Sequence, residues 1–306
     1  MASTSTIARR CSEVRGAPAT GRVRGFAVRL VRLVRLVRLV RVVPWLIAAG
    51  ASAATTAVAI APAAAPPTSA PAAGACRGTV YLTLDTGNMS QAQAIADILS
   101  RHRVKATFFL ANERTPRGDY ALDDAWGDFW RARVAEGHAF GSHTFDHVYF
   151  RDEVRADGRV AGVRVRPQFG AGAGRTVVWD AAAVCTELRR VDDRFRVLAG
   201  GALDRVWRAP GGSAHGFVMD AASGCGWRHV HWAPAGFLGD ELPSETYPNE
   251  RLLARALAGI RDGDVLMAHL GIWSRHDPFA PMLDPLIETL KRRGLCFATL
   301  ASREAR

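Results

Sequence analysis

Seven strand-like runs alternating with six helix candidates predict an α/β fold, wound from parallel βα units into a sheet or barrel. The alternation begins at Thr79 and continues to the last residues without an internal repeat. Beyond residue 76 about 230 residues remain, which suits one α/β barrel better than two small domains. Residues with chemistry to offer also end the strand runs: Asp85 ends TVYLTLD, His143 ends HAFGSH, Arg208 ends RVWR, Trp232 ends HVHW and His269 ends DVLMAH. In barrel-like α/β folds the loops leaving the strand ends build one cleft, so residues scattered in sequence become neighbours.

The elements follow in order. TVYLTL, KATFFLA and HAFGSH form the first three strand candidates, short apolar runs rich in β-branched and aromatic residues. Helical spacing of apolar residues places helices near 90–102 and 121–136 between them. Residues 148–175, including RADGRVAGVRVRPQFGAGAGR, are rich in Gly and Arg and are expected to be an irregular loop, either a substrate-facing excursion or a mobile flap. A helix over 178–199 then leads to RVWRAP, one over 216–224 to RHVHWAP, one over 249–261 to DVLMAHL, and one over 280–293 to LCFATL.

The first 76 residues are unlike the rest and are expected to be a non-globular leader, with a folded domain over 77–306. Ten Arg against Glu13 alone give residues 1–41 a charge of +9 out of the chain's +11. The remainder is nearly neutral, which excludes a broad basic face for nucleic acid. VRLVRLVRLVRLVR has a period of three that smears Arg around a helix, so it is either leader or sequence upstream of the true start. The uncharged stretch 42–61 and the Pro/Ala linker after it read as a cleaved signal or as a retained membrane anchor. The expected location is therefore periplasmic or secreted, with anchoring to the inner membrane as the alternative. Cysteine usage agrees: without Cys11 an even number remains, Cys76, Cys185, Cys225 and Cys296. Cys76 and Cys296 flank the first and last strands and are neighbours if the sheet closes; four buried thiols are the other reading.

His143 and His147 lie four apart in S-H-T-F-D-H. Along a continuing strand they would stand roughly 13 Å apart, whereas on a tight turn they approach to roughly 5–6 Å and can share one ion. The chain must therefore turn just after His143. Taken alone, such a pair is as readily two structural histidines as a metal site, Asp85 a strand-end cap and Arg208 a surface ion pair.

Read together, the motifs are similar to those of the NodB-like polysaccharide deacetylases, carbohydrate esterase family four. Thr83-Leu84-Asp85-Thr86-Gly87 matches the family's Thr-Phe-Asp-Asp-Gly, and His143-Thr144-Phe145-Asp146-His147 matches His-Ser/Thr-x-x-His. Arg208-Ala209-Pro210-Gly211 matches its Arg-x-Pro turn, and Leu266-Met267-Ala268-His269 its Leu-x-x-His. The resemblance covers most of residues 78–302 and implies a distorted (β/α)7 barrel of the NodB-homology type. It implies a divalent ion on His143 and His147, zinc first, with cobalt or another divalent ion as alternatives. It makes Asp85 the general base, His269 the general acid and Arg208 the group orienting Asp85, and it puts Trp232, Pro210 and Asp240 on the substrate side. Two departures stand out. Thr86 replaces the aspartate that normally ligates the metal, leaving its own hydroxyl, Asn88, Asp146 or water as the third ligand. The fourth motif is replaced by a run ending at Asp240, which is the candidate support for Arg208. The implied activity is metal-dependent removal of acetyl groups, N-acetyl favoured, from an envelope or extracellular polysaccharide. A catalytically silent carbohydrate-binding domain and a hydrolase of small-molecule amides are the alternatives.

Overall fold

The computed structural model describes residues 76–304. The Arg-rich leader, the apolar stretch 42–61 and nearly all of the linker lie outside the described residues. Among those residues no helix is long and apolar enough to cross a membrane.

All seven anticipated strands pair into one parallel sheet. They are β1 (Gly78–Asp85), β2 (Thr107–Leu110), β3 (Ala139–Ser142), β7 (Val206–Trp207), β8 (Arg228–His229), β9 (Val265–His269) and β10 (Leu295–Phe297). β1 lies at the centre. It pairs with β2 and β9 along its second half and with β10 along its first, and the sheet then runs on from β2 through β3 and β7 to β8. The barrel is distorted because no ladder joins β8 to β9. The segment 233–238 fills that seam, where Ala233 N donates to Val265 O (3.0 Å) and Leu238 N to Met267 O (3.2 Å).

Helices α1 (Ala92–His102), α2 (Gly127–Ala135), α3 (Ala181–Ala199), α4 (Gly216–Gly224), α5 (Asn249–Gly259) and α6 (Leu283–Arg292) fill the connections, and the short α7 (Leu300–Glu304) ends the described chain. In α6, Leu283, Leu286, Ile287 and Leu290 bury one stripe at i, i+3, i+4, i+7 spacing, which pins that helix to the sheet. α3 starts where Asp180 Oδ1 accepts from Ala183 N (2.8 Å) and stops at Gly200 in the left-handed conformation. Phe108, Trp130, Phe140 and Phe195 interlock beneath β2 and β3 with ring separations of 4.6–6.4 Å.

The expectation of an irregular 148–175 is corrected. β4 (Val148–Ala156), β5 (Arg159–Pro167) and β6 (Val177–Trp179) form a separate three-stranded antiparallel sheet. The signal was the Asp157-Gly158 pair, both at positive φ (49° and 77°), which makes the two-residue hairpin turn, followed by the alternating RVAGVRVRP. Gly-rich composition masked that period of two. The cysteines pair as Cys76–Cys296, across the β1–β10 ladder, and Cys185–Cys225, joining α3 to the end of α4. Each cross-link is worth about 2–4 kcal/mol by constraining the unfolded chain.

Candidate active site

Asp85 is the last residue of β1 and is 2% exposed. The fully buried Arg208, one residue past β7, reaches across the barrel, and its Nη1 donates to Asp85 Oδ1 (2.8 Å) and to Thr83 Oγ1 (2.8 Å). Its Nε donates to Val230 O (3.2 Å), and its guanidinium lies 4.2 Å from the Phe109 ring centre and 5.4 Å from that of Trp232. Asp85 Oδ1 is therefore occupied, while Oδ2 is directed toward His143 Nε2 at 3.6 Å. Burial alone would raise the Asp85 carboxyl, but the charge of Arg208 foremost, with that of His269 and the Arg208 hydrogen bond, holds it below its ordinary range, so it is ionised at neutral pH.

The chain turns directly after β3, as the histidine spacing requires. Thr144 and His147 both take positive φ (61° and 47°), and Thr144 Oγ1 accepts from Val148 N (2.7 Å) to close the turn. The two imidazole centres end 5.0 Å apart. His143 Nδ1 bonds to Arg208 O (2.9 Å), which makes Nδ1 the protonated nitrogen and leaves Nε2 an acceptor. Burial pushes the His143 pKa down to about 4 despite the neighbouring Asp85, so the ring is neutral. His147 Nδ1 is buried without a hydrogen-bond partner.

His269 ends β9 beside Asp85, its register partner across the β1–β9 ladder. Asp240 grips it twice: Oδ2 accepts from His269 N (2.6 Å) and Oδ1 lies 3.1 Å from Nδ1. Burial would lower the pKa of His269, but the Asp240 charge and hydrogen bond, with Asp85 and Glu241, raise it to about 10. The assignment of Asp240 to Arg208 is thus corrected. Asp240 serves His269, while Thr83 and the Val230 carbonyl supply Arg208's other contacts.

Asp85, Glu113, His143, His147, Trp232 and His269 line one cavity of about 160 Å³. That is smaller than a pocket for a whole drug-sized ligand and suits a side group of something larger. Trp232 provides an apolar wall, stacked on His231 with centres 4.1 Å apart. Pro210 does not line the cavity. It is buried in the turn after Arg208, and Gly211 takes the lining position. A second, more open pocket, reaching Arg114 and Phe169, shares Gln168 and Trp273 with it, and Trp273 is 60% exposed. Gly87 holds the rim together, since a Cβ there would lie 2.0 Å from Gly271 O.

Of the suggested third ligands, Asp146 does not line the cavity and is engaged by Arg190 (2.9 Å), while Asn88 does line it, its Oδ1 accepting from Ser90 N (3.0 Å). Thr86 is wholly buried and also does not line the cavity. Glu113, Tyr149, Glu241 and Trp273 were not singled out from sequence. Glu113 was findable, because it lies three residues past the end of β2 and the strand-end rule applies to it as to the others.

Among the described residues no three His, Cys, Asp or Glu side chains are gathered as a ready-made ion site. Two neutral-capable imidazoles, one with a buried unpartnered nitrogen, beside a cavity lined by carboxylates nevertheless fit a divalent cation.

Residues 73–230 match the sequence family described as Polysaccharide deacetylase. A chitooligosaccharide deacetylase of Bradyrhizobium sp. (strain ANU 289) is 27% identical over 227 residues, covering 71% of this chain and 86% of its own. The fold is shared with an acetyl xylan esterase of family 4 from Clostridium thermocellum in complex with a cobalt ion, at a TM-score of 0.54 and 21% identity, covering 73% of this chain and 89% of that one. It is shared equally with a family 4 pseudoenzyme from Bacillus anthracis, at a TM-score of 0.53 and 18% identity, covering 74% and 64%.

Proposed function

The chain belongs to the polysaccharide deacetylase family, and we propose that it hydrolyses acetyl groups, N-acetyl by preference, from a cell-envelope or extracellular polysaccharide in a metal-dependent reaction. The observation that carries this reading is a pair of oppositely partnered groups in one cavity: Asp85 bonded to the Arg208 guanidinium, which favours the carboxylate, and His269 bonded to the Asp240 carboxylate, which favours the imidazolium. Amide hydrolysis needs both at once, a base for the attacking water and an acid for the departing amine.

His143 and His147 would hold the ion, zinc first among candidates. When bound, a divalent cation supplies a Lewis acid for the acetyl carbonyl and an acidified water. Arg208 fixes Asp85 through Oδ1, so Oδ2 is the oxygen that takes the proton from the attacking water. Asp240 holds the Nδ1 proton of His269, so the transferable proton is on Nε2, available to the leaving nitrogen. Trp232 packs against the acetyl methyl and keeps water from that side. Trp273, 60% exposed and lining the cavity, supports a polymeric substrate over a small amide, since an exposed indole there offers a face for a further sugar ring.

Export to an oxidising compartment is part of the same proposal, resting on the leader composition and supported by the two disulfides. Thr86, which lacks the carboxylate of the family motif, favours a second reading, a carbohydrate-binding domain without turnover. Acetate release from a panel of acetylated glycans, by chelated protein and after adding back zinc or cobalt, separates the two. We expect metal-dependent release that is greatest on N-acetylglucosamine oligomers. Glycan binding with no acetate release from any substrate, metal present, supports the binding domain instead.

A further inference from the structure

We propose that Glu113, from the loop after β2, supplies the carboxylate oxygen that Thr86 cannot and completes a divalent-cation site with His143 and His147. The inference rests on the deacetylase reading and names the ligand that reading leaves open.

The residue after Asp85 is committed elsewhere. Thr86 Oγ1 accepts from Ala111 N (3.0 Å) and donates to Glu113 Oε1 (2.8 Å). Gly87 N donates to the same Oε1 (2.8 Å). The motif that would normally present a carboxylate here instead grips one that arrives from the loop after β2. Glu113 lines the cavity with both histidines, whereas Thr86 does not. Its backbone is tied to the histidine turn as well, because Asn112 N donates to Phe145 O (2.7 Å), between His143 and His147.

The electrostatics point the same way. Glu113 is 8% exposed, and neither of its donors is charged. Among the described residues no Lys, Arg or His forms an ion pair with it, whereas Asp85 in the same cavity is paired with Arg208 and Glu241 faces His269. Buried carboxylates are ordinarily paired with a cation or bound to a metal. Here Glu113, which has no cationic partner, lines one cavity with both histidines, which is an incomplete set until a cation is added. Neither bond to Glu113 uses Oε2, so that oxygen is free to ligate.

The test is zinc affinity, measured by calorimetric titration of the full-length protein after chelation, for wild type, Glu113→Gln, His143→Ala, Thr86→Asp and the double variant Thr86→Asp with Glu113→Gln. Glutamine keeps an oxygen for Thr86 and Gly87 but removes the charge. We expect Glu113→Gln to weaken zinc binding about 10–100-fold or more, and Thr86→Asp to restore it in the double variant by returning a carboxylate to the motif position. Wild-type affinity in Glu113→Gln, with zinc lost in His143→Ala, overturns the role of Glu113 and leaves the deacetylase reading standing. Equal affinity in all proteins overturns the histidine site itself. A loss in Glu113→Gln that Thr86→Asp does not restore, together with a lowered melting temperature of the metal-free variant, assigns Glu113 a structural role and also overturns the proposal.

Discussion

Asp85→Asn is expected to lower acetate release by about 10²–10⁴-fold, the range a positioned general base contributes. It is also expected to destabilise the protein by about 3–5 kcal/mol, because one member of a buried ion pair is removed and the other stays. Both effects have one origin. Asp85 is 2% exposed and Arg208 is fully buried, so the guanidinium left behind has no solvent to turn to and its Nη2 already lacks a partner. The sequence alone suggests a substitution that spares the fold, since asparagine adds no bulk. The buried pair changes that expectation. Steady-state rates and a denaturant melt on the same preparations check the two halves separately.

Asp240→Asn should move the alkaline limb of the pH–rate profile down by about 1–3 pH units, the usual effect of one close opposite charge. Burial works against the charged imidazole of His269, and Asp240 is the largest influence holding its pKa up at about 10. Without that carboxylate charge the ring loses its proton at lower pH, and the acid needed for the leaving amine is lost sooner. The displacement between the two proteins is the quantity to read. The sign for stability follows too. A folded pKa above the ordinary value means that protonated His269 stabilises the fold fully below about pH 6.5 and progressively less as pH rises toward 10. The wild-type melting temperature should fall over that window more than that of Asp240→Asn.

Most of the barrel was legible because strand and helix periods differ, and the seven parallel strands lie where apolar runs such as TVYLTL and DVLMAHL put them. The antiparallel hairpin was not, because its alternation RVAGVRVRP sits among glycines and arginines that read as loop. Site residues at strand ends were legible through their motifs, and the turn after His143 followed from distance alone. What sequence withheld was pairing across the barrel. Asp240 lies nearer in sequence to Arg208 (32 residues) than Arg208 lies to Asp85, and only the fold shows that it bonds the imidazole of His269, 29 residues away. Glu113 was missed because it belongs to no motif of its own. What marks it is the Thr86 hydroxyl and the Gly87 amide, which meet it from the turn after β1.

The central claim is that His269 donates the proton that releases the amine. The most direct test is the pH dependence of acetate release from an N-acetylglucosamine oligomer by wild type and His269→Ala, each metal-loaded and shown to be folded by circular dichroism. The wild type should give a bell-shaped profile, and His269→Ala should lose about 10²–10⁴-fold at the plateau together with the alkaline limb. A His269→Ala variant that keeps a near-wild-type rate and the same alkaline limb would contradict the account.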